Sequence, residues 1–218
     1  MARLDINAIR RRQIIEAAVA VMAEKGWAET SIDEATRRAE VSRGLVSYHF
    51  KDKADLLSGV LARCQEIFNE SVAEGVASSE DPVVQMRRVL EISVDLAVVN
   101  PVPYEVFVQF TASAKRDPRL GEEIRALWDG FRKYTARAIE AGQRKGVFRA
   151  DIDPMVAATR QIGAVTGIAL QWLLEPGAFD FPATKRETVD MLMRALVAEG
   201  VDPQAGAERA EVSASLDG

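Results

Sequence analysis

The sequence predicts an all-α chain of about nine helices, a small N-terminal three-helix head followed by a larger helical body. Three observations predict it. Apolar residues recur at three- and four-residue spacing along most of the chain, and no segment alternates apolar with polar as a half-buried strand does. Helix-starting signals punctuate that pattern, with Ser31, Ser42, Asp52, Pro82 and Pro154 each preceding or opening an apolar period. The 48% hydrophobic content of 218 residues is enough to fill a sizeable core.

Residues 1–8 read as a short arm carrying Arg3, and a first helix runs from about Ile9 to Lys25. Ile14, Ala17, Ala18, Val21 and Met22 form its apolar stripe, and Gly26 suits its stop. Arg10, Arg11 and Arg12 crowd the first turn, where cations oppose the helix dipole; DNA phosphate is a partner that would favour them, and a solvated charged end is the plainer reading. Ser31 and Glu34 have capping-box spacing, and Ile32, Ala35, Thr36 and Ala39 give the second helix one small apolar face. Glu40-Val41-Ser42 breaks the period, and Ser42 caps a third helix from Arg43 to about Tyr48. Val41 and Val46 point inward there, leaving Ser42, Arg43, Gly44, Leu45, Ser47 and Tyr48 outward or along the edge. Two short helices about a tight turn, the second cationic and hydroxyl-rich beside a glycine, make a helix-turn-helix whose second helix suits a major groove.

Asp52 caps the next helix with Asp55 at N3, and Leu56, Leu57, Val60, Leu61, Cys64, Ile67 and Phe68 carry its apolar face toward Ala77. Pro82 opens a helix with Met86, Val89, Leu90, Val94 and Ala97 on one face. Asn100-Pro101-Val102-Pro103 ends it and starts a shorter helix bearing Tyr104, Phe107 and Phe110, closed by KRDPR at 115–119. Leu120 to about Gln143 forms a long helix with Trp128, Phe131 and Tyr134. Pro154 to Leu174 is apolar almost all round, so it must be covered on several sides, and Gly163, Ala164 and Gly167 allow close approach of another helix. EPGAFDFPAT reads as a loop, Thr184 to Glu199 as the last helix, and 200–218 as a disordered tail.

The segment SIDEATRRAEVSRGLVSYHFKDKADLL resembles the DNA-binding signature of the TetR family of transcriptional regulators, and IRRRQIIEAA is similar to its choline-responsive BetI-type branch. Three positions depart from the usual pattern: Glu40 stands where the turn usually has glycine, Thr36 for alanine, and Ser47 for tyrosine. A non-glycine residue at position 40 is expected to sit at positive φ. The resemblance implies a DNA-binding head over 1–53 and a ligand-binding and dimerisation body over 54–199. It further implies a homodimer on a pseudo-palindromic double-stranded operator, and a small apolar or aromatic effector that shifts the helix at Leu56 to Phe68.

Arg43 is the candidate base reader, since bidentate arginine on guanine is the commonest specific contact; an exposed helix arginine is the alternative. Ser42, Tyr48, His49, Lys51 and Lys53 are candidates for phosphate, with Thr30, Arg10 and Arg11 assisting and Gly44, Leu45 and Ser47 along the surface; Phe50 packs inward. Phe68, Met86, Phe107, Phe110, Trp128, Phe131 and Trp172 are candidates to line an effector cavity, or plain core. The last two helices are the expected dimer interface, through Gly163, Ala164, Gly167, Leu192 and Leu196, with a monomer core as the alternative.

Charge follows the same division. Residues 1–55 hold ten Lys and Arg against nine Asp and Glu, and the remainder eighteen against twenty-four, within a net charge of −5. Catalysis finds little support: His49 is the single histidine and lies at the recognition helix, Cys64 is the single cysteine, and no glycine-rich phosphate loop is present, so no catalytic residue, metal or cofactor is expected. No apolar run approaches the roughly 18 residues of a membrane span and the N-terminus lacks a signal-peptide core, so a cytoplasmic protein without a membrane partner is expected. An activator, a ligand-independent regulator and a helical interaction module that binds no DNA remain the competing readings.

Overall fold

The structure, a computed structural model, describes residues 6–26 and 30–207. Nine helices follow one another among them: α1 (Ile6–Lys25), α2 (Ile32–Arg38), α3 (Arg43–His49), α4 (Lys53–Val76), α5 (Pro82–Val99), α6 (Pro101–Ser113), α7 (Pro118–Arg144), α8 (Pro154–Leu174) and α9 (Phe181–Leu196). The described residues of Met1–Ile67 and Asn100–Arg125 pack as one compact unit, and those of Phe68–Val99 and Ala126–Gly218 as another. The expected boundary at 53/54 is a division by role; packing instead divides α4 after Ile67 and α7 after Arg125.

In the first unit α1 packs against α2, α3 and α6. Ile14, Ala18 and Met22 of α1 are buried with Ala35, Val46, Phe50, Leu56 and Val60. Helix α1 starts at Ile6, earlier than the expected Ile9, and Arg3 of the expected arm lies outside the described residues. The local caps form on the expected residues, although Glu34 pairs with Lys25 and Arg37 instead of closing the capping box at Ser31. Ser31 Oγ accepts from the Glu34 amide at 3.2 Å, and Asp52 Oδ1 accepts from the Asp55 amide at 2.8 Å while Asp55 Oδ2 accepts from the Lys51 amide at 3.0 Å. Helix α2 ends in a Schellman turn: the Val41 amide donates to the Thr36 carbonyl and the Glu40 amide to the Arg37 carbonyl, both at 3.3 Å. Glu40 occupies its left-handed position at φ 55°, where glycine is the unstrained residue.

In the second unit α5, α8 and α9 pack on one another around Met86, Leu90, Val94, Ala158, Val165, Val189, Leu192, Met193 and Leu196. Polar ties fix α5 to α9. Arg87, 2% exposed, donates from Nη2 to Asp190 at 2.6 Å and to the Pro203 carbonyl at 2.8 Å, with Glu91 at 3.6 Å from Nη1. Lys185 bonds both oxygens of Asp95 at 2.8 and 2.9 Å.

Helix α9 begins at Phe181 rather than Thr184, because Asp180 accepts from the Ala183 amide and Pro182 fits the first turn. It ends at Leu196 because Val197 turns extended and pairs with Phe148. Within the expected disordered tail, Gly200 to Ala207 instead make turns on the core, Val201 packing against it and Pro203 meeting Arg87. Residues 208–218 lie outside the described residues.

Candidate nucleic-acid interface

Helix α3 is anchored from beneath and bare above. Val46 is fully buried, Phe50 is 1% exposed, and α1 fixes the turn from the side, Gln13 Nε2 donating to the Ala39 carbonyl at 2.9 Å. Ser42 Oγ caps α3 by accepting from the Leu45 amide at 3.3 Å. Its exposed hydroxyl keeps a hydrogen to donate. Arg43, Gly44, Ser47 and Tyr48 are exposed and Leu45 half-buried, so five of the expected contact residues share one outer face or its edge. A Cβ built on Gly44 would meet nothing within 4 Å, so the protein's own packing does not require glycine there. The bare backbone is available to a surface that comes against it.

Arg43 does not stand alone. Its Nη1 lies 3.4 Å from Oδ1 of Asp33, at the start of α2, with both side chains largely exposed. Sequence reasoning missed Asp33; the available signal was a second acidic residue in a first turn whose capping already needs only Ser31 and Glu34. Glu34 serves the scaffold, its carboxylate paired with Lys25 and Arg37. The Lys25 hydrogen bond and the Arg37 charge hold its carboxyl below the ordinary range.

The remaining candidates divide. Lys51 is exposed, and Lys53 is half-buried, with burial drawing its ammonium pKa down. Arg10 is exposed and donates to Gln13 at 2.8 Å, while the Arg11 guanidinium lies 5.0 Å over the Phe50 ring. His49 sits edge-on to Tyr48 at 5.0 Å with its Nε2 buried and without a hydrogen-bond partner among the described residues, so that nitrogen is not presented outward. Thr30 is a correction: it is fully buried, and its hydroxyl donates to the Gly26 carbonyl at 2.8 Å, which removes it from any outer face.

The seven expected effector-lining residues fall in both packing units. Phe107 and Phe110 belong to the first unit, where Phe110 is fully buried. In the second, Phe131 meets Phe68 at 5.1 Å and Trp128 at 6.4 Å, whereas Trp172 joins a separate cluster with Phe179 and Phe181. Met86 lines a cleft of about 130 Å³ with Val76, Gln85, Val89, Tyr134 and Ala138.

Helix α8 has two unlike sides. Ala158, Gln161, Val165 and Ile168 are buried, while Val156 and Leu174 are 67% and 77% exposed. On that open side a Cβ on Gly163 or Gly167 would meet nothing within 4 Å. Ala164 packs partly against the core. Leu192 and Leu196 are corrections as interface residues: they are 1% and 0% exposed within one chain, and α9 instead exposes Met191.

A helix-turn-helix with a bare second helix, followed by an all-helical body, is the architecture of the described residues. The chain belongs to the TetR family of bacterial regulatory proteins: residues 14–60 match that family's description, and residues 82–198, over half of the chain, match the C-terminal region of BetI-type transcriptional repressors. The HTH-type transcriptional regulator BetI of Yersinia pestis (strain Pestoides F) is 33% identical over 122 residues, 55% of this chain and 62% of the relative, so the match spans less than two thirds of that relative's length. The "Probable acrEF/envCD operon repressor" of Escherichia coli (strain K12) is 26% identical over 200 residues, 88% of this chain and 89% of the relative. Among solved structures, a protein of Saccharomonospora viridis described as a transcriptional regulator, in complex with choline, superposes with a TM-score of 0.76 at 22% identity, covering 88% of this chain and 100% of that one. The triclosan complex of SmeT, the repressor of the Stenotrophomonas maltophilia multidrug efflux pump SmeDEF, gives 0.72 at 24% identity over 89% and 94% of the two chains. At these identities the structural likenesses speak to the fold.

Proposed function

We propose that the chain is a homodimeric repressor that reads a pseudo-palindromic operator through α3 and leaves it when a small, largely apolar or aromatic molecule binds the C-terminal body. The observation that carries the reading is the bare face of α3, with Arg43, Gly44, Ser47 and Tyr48 exposed over buried Val46. One such helix touches only a few base pairs, so selectivity requires two heads. The open stripe of α8 at Val156, Gly163, Gly167 and Leu174, with Met191 of α9, supplies the apolar, small-residue surface a two-fold helical interface uses. Arg43 reads a base, and Ser42, Tyr48, Lys51, Arg10 and Arg11 hold phosphates. The names of relatives as repressors, and the choline and triclosan found in two related structures, support ligand-released repression. The cleft beside Met86 is close to the roughly 150 Å³ that holds a benzene ring.

Selection of bound duplexes from a random pool by the purified protein at near-physiological salt tests the reading. An inverted repeat should be enriched, and Arg43→Ala should weaken its binding by roughly 5- to 150-fold per head, the loss of about 1–3 kcal/mol of base discrimination. Enrichment of no sequence by the wild type, or unchanged selectivity in the variant, refutes it.

A further inference from the structure

We propose that Asp33 is a positioning residue for DNA reading: it holds the Arg43 guanidinium over the outer face of α3 and keeps it off the phosphate backbone, so that discrimination between sequences depends on the pair. The inference rests on the DNA-reading proposal above. Its basis is the contact from Arg43 Nη1 to Asp33 Oδ1 at 3.4 Å, made between the first turn of α2 and the first turn of α3.

The division of labour within that first turn singles Asp33 out. Ser31 caps the helix through the Glu34 amide, and the Glu34 carboxylate is occupied by Lys25 and Arg37. Asp33 takes no part in that scaffold and addresses α3 instead. The contact engages one terminal nitrogen of the guanidinium. Nη2 and Nε remain, and that edge of an arginine fork can meet two acceptors of one guanine together. A guanidinium already held in one direction loses less rotational freedom when it docks.

The carboxylate also acts by repulsion. Phosphates supply most of the attraction between a basic head and any duplex, and an exposed, unrestrained arginine is drawn to them regardless of sequence. A carboxylate 3.4 Å from Arg43 neutralises part of that pull and disfavours a phosphate in the same place, while leaving the base-reading edge open. Asp33 thereby weakens binding to arbitrary DNA more than binding to the right site.

The test uses the full chain as wild type, Asp33→Asn, Arg43→Ala and the double variant. Each is titrated by fluorescence anisotropy against two probes at one near-physiological salt concentration: the duplex most enriched by the wild type, and a scrambled duplex of the same composition. Far-UV circular dichroism and melting of the four proteins should coincide, since both side chains are largely exposed. Asp33→Asn should bind the scrambled duplex roughly three- to tenfold more tightly and the enriched duplex no more tightly, so the ratio of the two affinities falls by that factor. In the Arg43→Ala background the same substitution should leave the ratio unchanged. Equal tightening on both duplexes would reduce Asp33 to a simple negative charge, and a ratio that still falls without Arg43 would detach it from that arginine; either result overturns the proposal. A wild type that enriches no sequence overturns the DNA-reading proposal itself, and does so before any variant is measured.

Discussion

The tie between α5 and α9 gives a sharp stability prediction. Asp190→Ala leaves Arg87, 2% exposed, with only the Pro203 carbonyl at 2.8 Å and Glu91 at 3.6 Å. Removing one partner of a buried ion pair costs about 3–5 kcal/mol, because the survivor keeps its desolvation and loses its counter-charge. The remaining Glu91 and Pro203 contacts place the loss at the lower end, about 3 kcal/mol, or a melting temperature lower by roughly 6–12 °C for a chain of this size. Arg87→Met should cost less, since Asp190 and Glu91 are 13% and 24% exposed at their side chains and can reach water. Arg87→Met/Asp190→Leu, which removes both charges, should recover most of the loss.

A pH dependence accompanies Arg87→Met. Burial raises the Glu91 carboxyl above its ordinary 4.5, and the Arg87 charge is the foremost influence opposing that rise. Without Arg87 it rises further. A carboxyl raised in the folded state stabilises fully below its unfolded pKa, and that contribution is lost as pH rises through the folded one. The deficit of Arg87→Met should therefore be smallest near pH 4.5 and grow toward neutrality. Urea and thermal unfolding followed by circular dichroism, at fixed protein concentration, measure both effects. An Asp190→Ala loss under 1 kcal/mol, or a double variant as unstable as the sum of its singles, would refute the reasoning.

Three further outcomes are expected. Glu40→Gly should raise stability by about 0.5–1 kcal/mol in the same unfolding assay, the relief of a left-handed side chain at φ 55° less the added chain entropy of glycine, and a loss would contradict it. Gly142→Ala places a Cβ 2.0 Å from the ring of buried Phe148 and should cost about 1–3 kcal/mol, whereas Gly75→Ala meets only the far end of Ile92 and should cost less than about 1 kcal/mol. Cys64 is buried and its thiol is pushed up to about 12, chiefly by burial, so in the native protein at pH 8 it should resist a disulfide reagent that labels it promptly in urea.

Helix starts and their caps were legible because local chemistry sets them: Ser31, Ser42 and Asp52 each accept from amides of the turn they open. The start of α9 was misread because Phe181-Pro182 resembles a loop until Asp180 is seen capping it. Glu40 at positive φ was legible only through the resemblance that puts glycine at that turn, since its own residue type does not reveal it. Thr30 was misplaced for a different reason, since a polar residue just before the first short helix reads as outward and the Gly26 carbonyl that satisfies it lies past the end of α1. Periodicity marked Leu192 and Leu196 as a face of α9, but cannot say whether a face meets its own core or another chain. The contact between Asp33 and Arg43 spans ten residues and two helices, beyond the reach of any spacing rule.

On the dimer proposed above, the two sides of α8 separate what keeps the chain folded from what would decide its companion. A Cβ on Gly163 or Gly167 would meet nothing of its own chain within 4 Å, so side chains can be exchanged there without disturbing Val165 or Ile168 behind them. Cells that hold several regulators of one architecture must stop them from mixing, and a stripe that is free to vary is where that insulation can be written. Matched bulky and small residues at 163 and 167, placed on separate copies, would give a pair of orthogonal subunits, each folded as before and each blind to the original.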